Sequence, residues 1–201
     1  MKQKELIYRE LLFQTIERKK YSFTQLGLAN QLHLSLSVVN YALKPLRQMG
    51  AIIVKLRCFE VVDALKILYY WASLRNTEKE IVYKVRIDTP IKQIESELPP
   101  DTIFGAYSAY KFKFKDVPAD YSEVYVYDDA EEIKKRFPVS DEKLPPNLFV
   151  LKKDEFLENY GKTTPIAQTF VDLWNTKEWY ARDFLDVLKK RIKEMLQHGN
   201  Q

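Results

Sequence analysis

The first quarter of the chain carries a hydrophobic pattern that predicts three short helices in succession. Apolar residues with a period near 3.6 run from Leu6 to Ile16 and indicate an amphipathic helix that ends near the basic run Arg18-Lys19-Lys20. Thr24 precedes a second apolar repeat, "QLGLANQL", and Ser35 precedes a third. Both residues are good N-caps, so we expect each of them to begin a helix.

The third predicted helix has an apolar side and a polar side. Its expected inward residues are Val38, Val39, Ala42, Leu43, Leu46 and Met49. Its expected outward residues are Ser37, Asn40, Tyr41, Lys44, Arg47 and Gln48. Gly50 should end the helix, because glycine readily adopts the left-handed conformation. Pro45 removes one helical hydrogen bond at a cost of about 3 kcal/mol, which predicts a kink or a loosened turn.

A β-hairpin and a fourth helix are predicted next. The stretch "AIIVKLRCFEVV" indicates two short strands with a tight turn around Arg57 and Cys58. Asp63 is expected to cap a helix through "ALKILYYWASLRN". The polar residues 75–80 that follow predict a short linker between two domains.

The rest of the chain mixes strand and helix patterns. Alternation from Ile81 to Ile87 predicts a half-buried strand, and Pro90 opens a short helix that stops before Pro99. Two further strands are expected, around Val124 and in "NLFVLKK". Helices are expected from Asp128 to Arg136, at residues 165–174 and at residues 177–197. The expected core rings and side chains of this end are Phe170, Leu173, Trp174, Trp179 and Phe184.

The segment "AYKFKFK", residues 109–115, alternates aromatic residues with lysines. This alternation favours an edge strand protected by its lysines. Lysines with interleaved rings can also form a platform for single-stranded nucleic acid. Stacking of bases requires the rings on the same face as the lysines, whereas in a strand the alternation places the rings on the opposite face.

Composition limits the class of protein. The chain has 201 residues, 46% of them apolar, and one cysteine, Cys58. An internal disulfide is excluded, and with only two histidines a structural zinc site is not expected. Since no window is long and apolar enough to span a membrane, we expect a cytoplasmic protein without a membrane partner.

The charge is unevenly distributed. Residues 1–76 contain twelve Lys and Arg against five acidic residues, a net charge of +7, which leaves 20 against 23, or −3, for the remainder. Residues 21–59 contain no acidic residue at all. A basic N-terminal part and an acidic C-terminal part suggest two domains with different partners.

Three helices followed by a hairpin is the order of a winged helix-turn-helix domain, whose third helix enters the major groove of DNA. Asn40 can contact adenine with both polar atoms of its amide, and the cations of the helix and hairpin can neutralise phosphates. The candidate DNA-binding residues are Thr24, Gln25, Ser35, Ser37, Asn40, Tyr41, Lys44, Arg47, Lys55 and Arg57. The alternative is a winged helix that binds a protein partner; the acid-free interval favours nucleic acid.

The stretch "LSLSVVNYALKPLRQMGAI" resembles bacterial and archaeal winged-helix transcriptional regulators over about the first 75 residues. In those regulators a serine, a hydrophobic pair, an outward polar residue, a leucine and a late "GAI" recur in this order.

Catalytic patterns are weak. "GAYS" followed by "SEVYVYD" resembles a nucleotidyltransferase skeleton, which needs two carboxylates two residues apart on the strand to hold metal ions. Glu123 is followed by Tyr125, so the second ligand is missing. Asp101 with Glu132 and Lys134 superficially matches a nuclease pattern, but the second half lies in a predicted helix. We therefore expect no catalytic site, no metal and no cofactor.

The C-terminal part resembles AbiEi-type antitoxin regulators of type IV toxin-antitoxin systems. The residues that carry this resemblance are "GAYSAY" and "TPIAQTFVDLWNTKEWYARDFLDVL". The resemblance implies a repressor that binds the promoter of its own operon, with a second domain that acts against a nucleotidyltransferase toxin.

The sequence as a whole predicts an α+β protein. Residues 1–76 would form a winged helix-turn-helix domain that binds double-stranded DNA, and residues 77–201 a smaller mixed α/β domain with a helical C-terminus, for dimerisation or partner binding. Because a single small winged helix binds weakly, we expect a homodimer, with a cognate toxin as a further partner implied by the resemblance. The alternative function is a protein-protein adaptor.

Overall fold

The chain divides into two compact units. The computed structural model describes residues 1–139 and 144–197. The first unit holds Met1–Arg75 and the C-terminal segment from Lys189, and the second holds Asn76–Leu188. Both units combine helices with a sheet, so the predicted α+β class is confirmed. The second unit contains more of the chain than the first, not less as predicted.

The first unit begins with four helices and three short strands. In chain order they are α1 (Gln3–Ile16), β1 (Ser22–Phe23), α2 (Gln25–Gln31), α3 (Leu36–Gln48), β2 (Ile52–Val54), β3 (Phe59–Val61) and α4 (Ala64–Leu74). Each of the four predicted helices is confirmed, and so is the hairpin of β2 and β3. Strand β1 was not predicted, because a two-residue strand has no detectable period.

One apolar core joins these elements. Helix α1 packs against α3 and α4, and α2 packs against α3. Strand β3 lies between β1 and β2 in an antiparallel sheet, where Phe23 stacks on Phe59 with ring centroids 5.8 Å apart. The fully or nearly fully buried apolar residues of the helices include Ile7, Tyr8, Leu11, Leu12, Ile16, Leu28, Ala29, Val39, Ala42, Leu43, Leu46, Ile67, Leu68, Trp71 and Ala72.

A buried ion pair closes the end of this core. The Glu5 carboxylate accepts a hydrogen bond from the Trp71 indole at 3.1 Å and lies 3.4 Å from the Arg75 guanidinium. All three side chains are almost completely buried. The two units divide immediately after Arg75, within the predicted boundary stretch 75–80, and Arg75 itself is buried with its charge compensated inside the protein.

The second unit contains a four-stranded sheet and helices. In chain order the elements are a 3-10 turn (Thr77–Glu80), β4 (Ile81–Val85), α5 (Ile91–Glu97), β5 (Ile103–Gly105), α6 (Ala106–Phe114), β6 (Val124–Asp128), α7 (Ala130–Arg136), β7 (Leu148–Lys152), a second 3-10 turn (Leu157–Tyr160), α8 (Ile166–Trp174) and the first part of α9 (Ala181–Gln197). The residues of α9 from Lys189 belong to the first unit. Helix α9 begins four residues later than predicted, and β5 was not predicted.

The sheet has the order β4-β7-β6-β5. Strands β6 and β7 are parallel, and the two outer pairs are antiparallel. One apolar cluster combines residues of β4, β6 and β7 with residues from α5 and α7. Its buried members are Tyr83, Val85, Ile94, Leu98, Val124, Val126, Ile133, Phe137, Leu148 and Val150.

The segment "AYKFKFK" is helical, so the predicted edge strand is wrong. It lies in α6, where Ala106, Tyr107, Ala109 and Tyr110 are fully buried at the spacing of one helix face. The alternation of Phe and Lys covers only the end of this helix. The longer apolar pattern that begins at Ala106 determines the conformation of this segment.

Two predicted core tryptophans are surface residues. Phe170, Leu173 and Phe184 are buried as expected, whereas Trp174 is half-exposed and the Trp179 side chain is 81% exposed. Trp179 lies in the connection between α8 and α9, where no helical period constrains it. The prediction of core packing is thus wrong for both tryptophans.

Candidate nucleic-acid interface

Helices α2 and α3 are joined by a short turn with well-defined ends. Thr24 caps α2 by accepting a hydrogen bond from the Gly27 amide at 3.0 Å, and Ser35 caps α3 through the Val38 amide at 3.3 Å. Between them, His33 adopts a positive φ of 51°, and the Leu34 amide bonds back to the Ala29 carbonyl at 2.9 Å. This is the Schellman pattern, with histidine in the place usually taken by glycine.

Helix α3 is fixed against the core by its apolar side. Val39, Ala42, Leu43 and Leu46 are buried, whereas the outer members of the predicted set, Val38 and Met49, are half-buried. The Tyr8 hydroxyl of α1 donates a 3.0 Å hydrogen bond to the Ala42 carbonyl, and burial raises the pKa of this phenol. These contacts leave the opposite side of α3 free to present polar groups.

The outward side of α3 matches the predicted polar set. Ser37, Asn40, Tyr41, Lys44 and Arg47 are all exposed, and Tyr41 is 73% exposed. Residues spaced three and four apart share one helix face, so this series forms a continuous polar strip. The strip is defined as these five residues. The helix runs through Pro45 without ending, and the Met49 amide bonds to the Pro45 carbonyl at 3.0 Å.

Arg47 and Asn40 are coupled on this strip. The Arg47 guanidinium donates hydrogen bonds to the Asn40 side-chain oxygen and, at 3.3 Å, to the Asn40 carbonyl. The contact holds the amide in one orientation and keeps its NH₂ group directed away from Arg47. An amide oxygen has a second lone pair, so Asn40 retains the acceptor and the donors that a contact with adenine needs.

The tip of the hairpin is the second exposed cationic element. The Lys55 amide bonds to the Cys58 carbonyl at 2.8 Å, which closes a two-residue loop of Leu56 and Arg57. Both loop residues are exposed, and Leu56 is 97% exposed. The Lys55 ammonium forms an ion pair with Glu60 of β3. Lys55 is therefore partly neutralised, which the sequence did not predict.

A further cation lies beside the start of α2. Lys20 places its ammonium 5.6 Å from the centre of the Phe23 ring, and a small surface groove of about 200 Å³ lies between Lys20, Thr24 and Gln31. Lys20 is the last residue of the basic run that follows α1. Its position next to the predicted phosphate contacts Thr24 and Gln25 was not predicted, although its charge was the available signal.

The structure brings the candidate residues to three places in one unit. Ser37, Asn40, Tyr41, Lys44 and Arg47 lie on one helix face, with Ser35 at its start, where the Ser35 and Ser37 hydroxyls are 2.8 Å apart. Lys55 and Arg57 lie on the hairpin, and Thr24 and Gln25 at the start of α2. The arrangement offers hydrogen-bond donors, acceptors and cations.

Neither a metal-binding cluster nor the superficial nuclease pattern is assembled in the described residues. Within residues 1–139 and 144–197, no three His, Cys, Asp or Glu side chains come together in a way that could hold a metal ion. Glu132 and Lys134 lie in helix α7, as predicted, so the superficial nuclease pattern is not assembled on a strand. In the same residues no helix is both long and apolar enough to cross a membrane.

Comparison of the chain with models of protein families, with curated proteins and with solved structures gives no match. The resemblances to winged-helix regulators and to AbiEi-type antitoxins therefore depend on the quoted residues alone.

Proposed function

We propose that this chain is a sequence-specific regulator of transcription that binds double-stranded DNA through a winged helix-turn-helix. In this proposal α2 and α3 are the helix-turn-helix, α3 enters the major groove, and the hairpin of β2 and β3 is the wing. The regulator would act on the promoter of its own operon as a repressor.

The observation that carries the proposal is the polar strip on α3. It combines base-reading groups with two cations on one exposed face, and it lies within a stretch of 39 residues, 21–59, that lacks any acidic residue. An ordinary solvated helix face mixes charges of both signs. A face without acidic residues suits a polyanion, because each phosphate contact releases a condensed counterion.

The roles within the interface follow from chemistry. Asn40 and Ser37 would read base edges, while Lys44, Arg47 and Arg57 would contact phosphates. Tyr41 would reach a base edge or a phosphate with its hydroxyl. Lys55 would contribute less than Arg57, because Glu60 already compensates its charge.

Homodimer formation and antitoxin activity are further parts of the proposal. A dimer would place two recognition helices on a palindromic operator and would raise affinity above that of one winged helix. The second unit would supply the contact with a second copy or with a nucleotidyltransferase toxin, as the resemblance to AbiEi-type regulators implies.

A gel-shift titration tests the function. The protein is titrated against duplex DNA from immediately upstream of its own gene, with and without random competitor duplex. The proposal predicts a retarded complex that survives competitor. Binding that competitor removes completely would contradict sequence specificity, and no complex even at low salt would contradict DNA binding.

A second candidate function is a protein-protein adaptor. The exposed Trp179 and Trp174 favour it, because tryptophan is enriched at the energetic centres of protein interfaces. The wing also exposes Leu56 together with Ile53 and Val54 of β2. Elution from a DNA column that is insensitive to salt, or no retention on it, would favour this adaptor function over DNA binding.

A further inference from the structure

The second unit contains an open cavity of about 780 Å³ that the proposed DNA interface does not use. Strand β4, the start of β6, β7 and the connection between α8 and α9 surround it. Tyr125 and Phe149 line it as a stacked pair of rings, with centroids 4.7 Å apart and planes inclined by 10°. This volume lies in the range typical of sites for small molecules, about 300–1,000 Å³.

Three carboxylates line this cavity: Glu78, which pairs with Lys177, and Glu178 and Glu123, whose environments differ. Glu178 is fully engaged: one oxygen accepts from the Tyr107 hydroxyl at 2.9 Å and the other from the Tyr125 hydroxyl at 3.2 Å. Glu123 differs, since its Oε2 atom is buried and accepts no hydrogen bond from any described residue. A buried acceptor without a partner is costly, and a donor bound in the cavity would remove that cost.

Electrostatics agree with this geometry. Burial, followed by repulsion from the Glu178 carboxylate, raises the pKa of Glu123 to about 7. The Ser122 amide and the Arg86 guanidinium act in the opposite direction but do not offset the increase. A second carboxylate near a half-buried one repels it, and a cation placed beside both would be attracted by both.

The cationic side chains that line the cavity, Lys84, Arg86 and Lys177, donate no hydrogen bond to the Oε2 atom of Glu123. Lys177 is paired with Glu78 at 3.2 Å, and both side chains are mostly exposed. Lys84 is exposed on β4. Arg86 acts on Glu123 through its charge, yet the Oε2 atom still lacks a hydrogen bond.

We infer that this cavity binds a small organic cation, whose ammonium or guanidinium group donates to Glu123 while its body packs on the rings of Tyr125 and Phe149. The aromatic pair favours such a ligand for two reasons: the ring faces attract the cationic group, and they bury the apolar surface of the ligand body. Glu178, held by its two tyrosines, adds negative potential without having to move. The inference does not depend on the proposed DNA binding.

Isothermal titration calorimetry of the full-length protein tests the inference, with benzylamine, agmatine and the neutral benzyl alcohol as probes. Benzylamine and benzyl alcohol have the same ring, so their difference isolates the charge. We expect both cations to bind and benzyl alcohol to bind at least about tenfold more weakly, as for the loss of one close charge pair. Equal affinity for benzylamine and benzyl alcohol, or no binding of either cation at millimolar concentration, would overturn the inference.

Variants locate the cation. Glu123→Gln keeps the shape of the side chain and removes its charge, and we expect it to weaken benzylamine binding by about tenfold or more. Glu158→Gln is the control, because Glu158 lies in the same unit, is exposed and does not line this cavity. Unchanged affinity of Glu123→Gln would exclude the assigned site. The wild-type comparison of charged and neutral probes remains decisive if this variant fails to fold.

The pH dependence gives a separate readout. The titratable and charged groups that line the cavity with Glu123 are Glu178 and Lys177 of the α8–α9 connection, Glu78 of the 3-10 turn, Tyr83, Lys84 and Arg86 at β4, and Tyr125 of β6. Because Glu123 ionises near pH 7, benzylamine should bind more tightly at pH 8 than at pH 6 and should release protons on binding. Affinity that falls from pH 6 to pH 8 would contradict the role of Glu123.

Discussion

At the scale of single residues, the wing contains one acidic side chain that limits its positive charge. Glu60 follows the acid-free interval directly and pairs with Lys55, whose ammonium would otherwise be available to a phosphate. Such an exposed pair contributes little to stability, so its replacement should leave the fold intact. The same replacement should change the affinity for a polyanionic partner more strongly, because that affinity depends on every uncompensated charge.

Glu60→Gln should therefore strengthen DNA binding. The released Lys55 can neutralise one more phosphate, so the slope of log affinity against log salt should steepen by about 0.9. Fluorescence anisotropy with a labelled duplex at several salt concentrations measures both quantities. Glu158→Gln makes the same change of net charge in the other unit and should leave the slope unchanged. Equal effects of the two variants would show that net charge, not the wing, determines binding.

The contact between Arg47 and Asn40 has a separate consequence. Lys44→Ala should weaken binding to cognate and random duplexes alike, since it removes only a cation. Arg47→Ala removes a cation and also the hydrogen bonds that orient the Asn40 amide, so it should weaken binding and lower discrimination between the two duplexes. Asn40→Ala should lower discrimination alone. The competition measurement is a gel shift with both duplexes, and equal discrimination in all three variants would contradict base reading by Asn40.

At the scale of elements, the end of α3 depends on one glycine. Gly50 has a φ of 67°, its amide bonds to the Arg47 carbonyl at 3.1 Å, and the Ala51 amide bonds to the Leu46 carbonyl at 2.9 Å. A Cβ atom added at Gly50 would meet nothing within 4 Å. Any effect of a side chain there is thus conformational, not steric. A substitution at Gly50 therefore tests whether the left-handed conformation that links α3 to β2 is formed.

Gly50→Ala should lower the free energy of unfolding by about 1–2 kcal/mol, the cost of a left-handed conformation for a residue with a Cβ. Urea denaturation followed by circular dichroism measures it. Gln48→Ala is the matched control, since Gln48 is exposed on the same helix end with ordinary helical geometry, and it should change stability by less than about 0.5 kcal/mol. Equal stability of Gly50→Ala and wild type would show that the left-handed cap is not formed in solution.

Elements with local signals were predictable from the sequence, and elements set by tertiary contacts were not. Thr24, Ser35 and Asp63 each cap a helix as predicted, because capping is an interaction between residues close in sequence. Helix α6 was mistaken for a strand because a short Phe-Lys alternation at its end masked the helical period of its buried residues. Strand β1 has two residues, too few for a period, and the three-residue β5 lacks the adjacent second run that indicated the equally short strands of the β2–β3 hairpin.

The candidate sites show the same limits. The exposed strip on α3 was predictable, because residues three and four apart share a face of any helix. Two contacts among the candidate residues were not predictable: the ion pair of Lys55 with Glu60 on the hairpin, and the hydrogen bond by which Arg47 orients Asn40 on α3. The cavity around Glu123 gave no signal either, since its walls come from segments far apart in sequence.

At the scale of the whole molecule, the chain separates its charge between its parts. The basic excess lies in residues 1–76 and the acidic excess in the remainder. The first unit presents the proposed DNA interface, and the second holds the cavity lined by Glu78, Glu123 and Glu178. In the proposed function, the salt dependence of DNA binding comes from the cations of α3 and of the β2–β3 hairpin, all of which lie in the first unit.

The most direct test of the central claim is the salt dependence of binding to the upstream duplex, measured by fluorescence anisotropy of the wild-type protein over a series of salt concentrations. Three uncompensated cations, Lys44, Arg47 and Arg57, predict a slope of log affinity against log salt near −3 per bound chain, at about 0.9 for each neutralised phosphate. A dimer should show about twice this slope. Binding that does not change with salt, or no binding at the lowest salt, would contradict the account and would assign the basic helix to a protein partner.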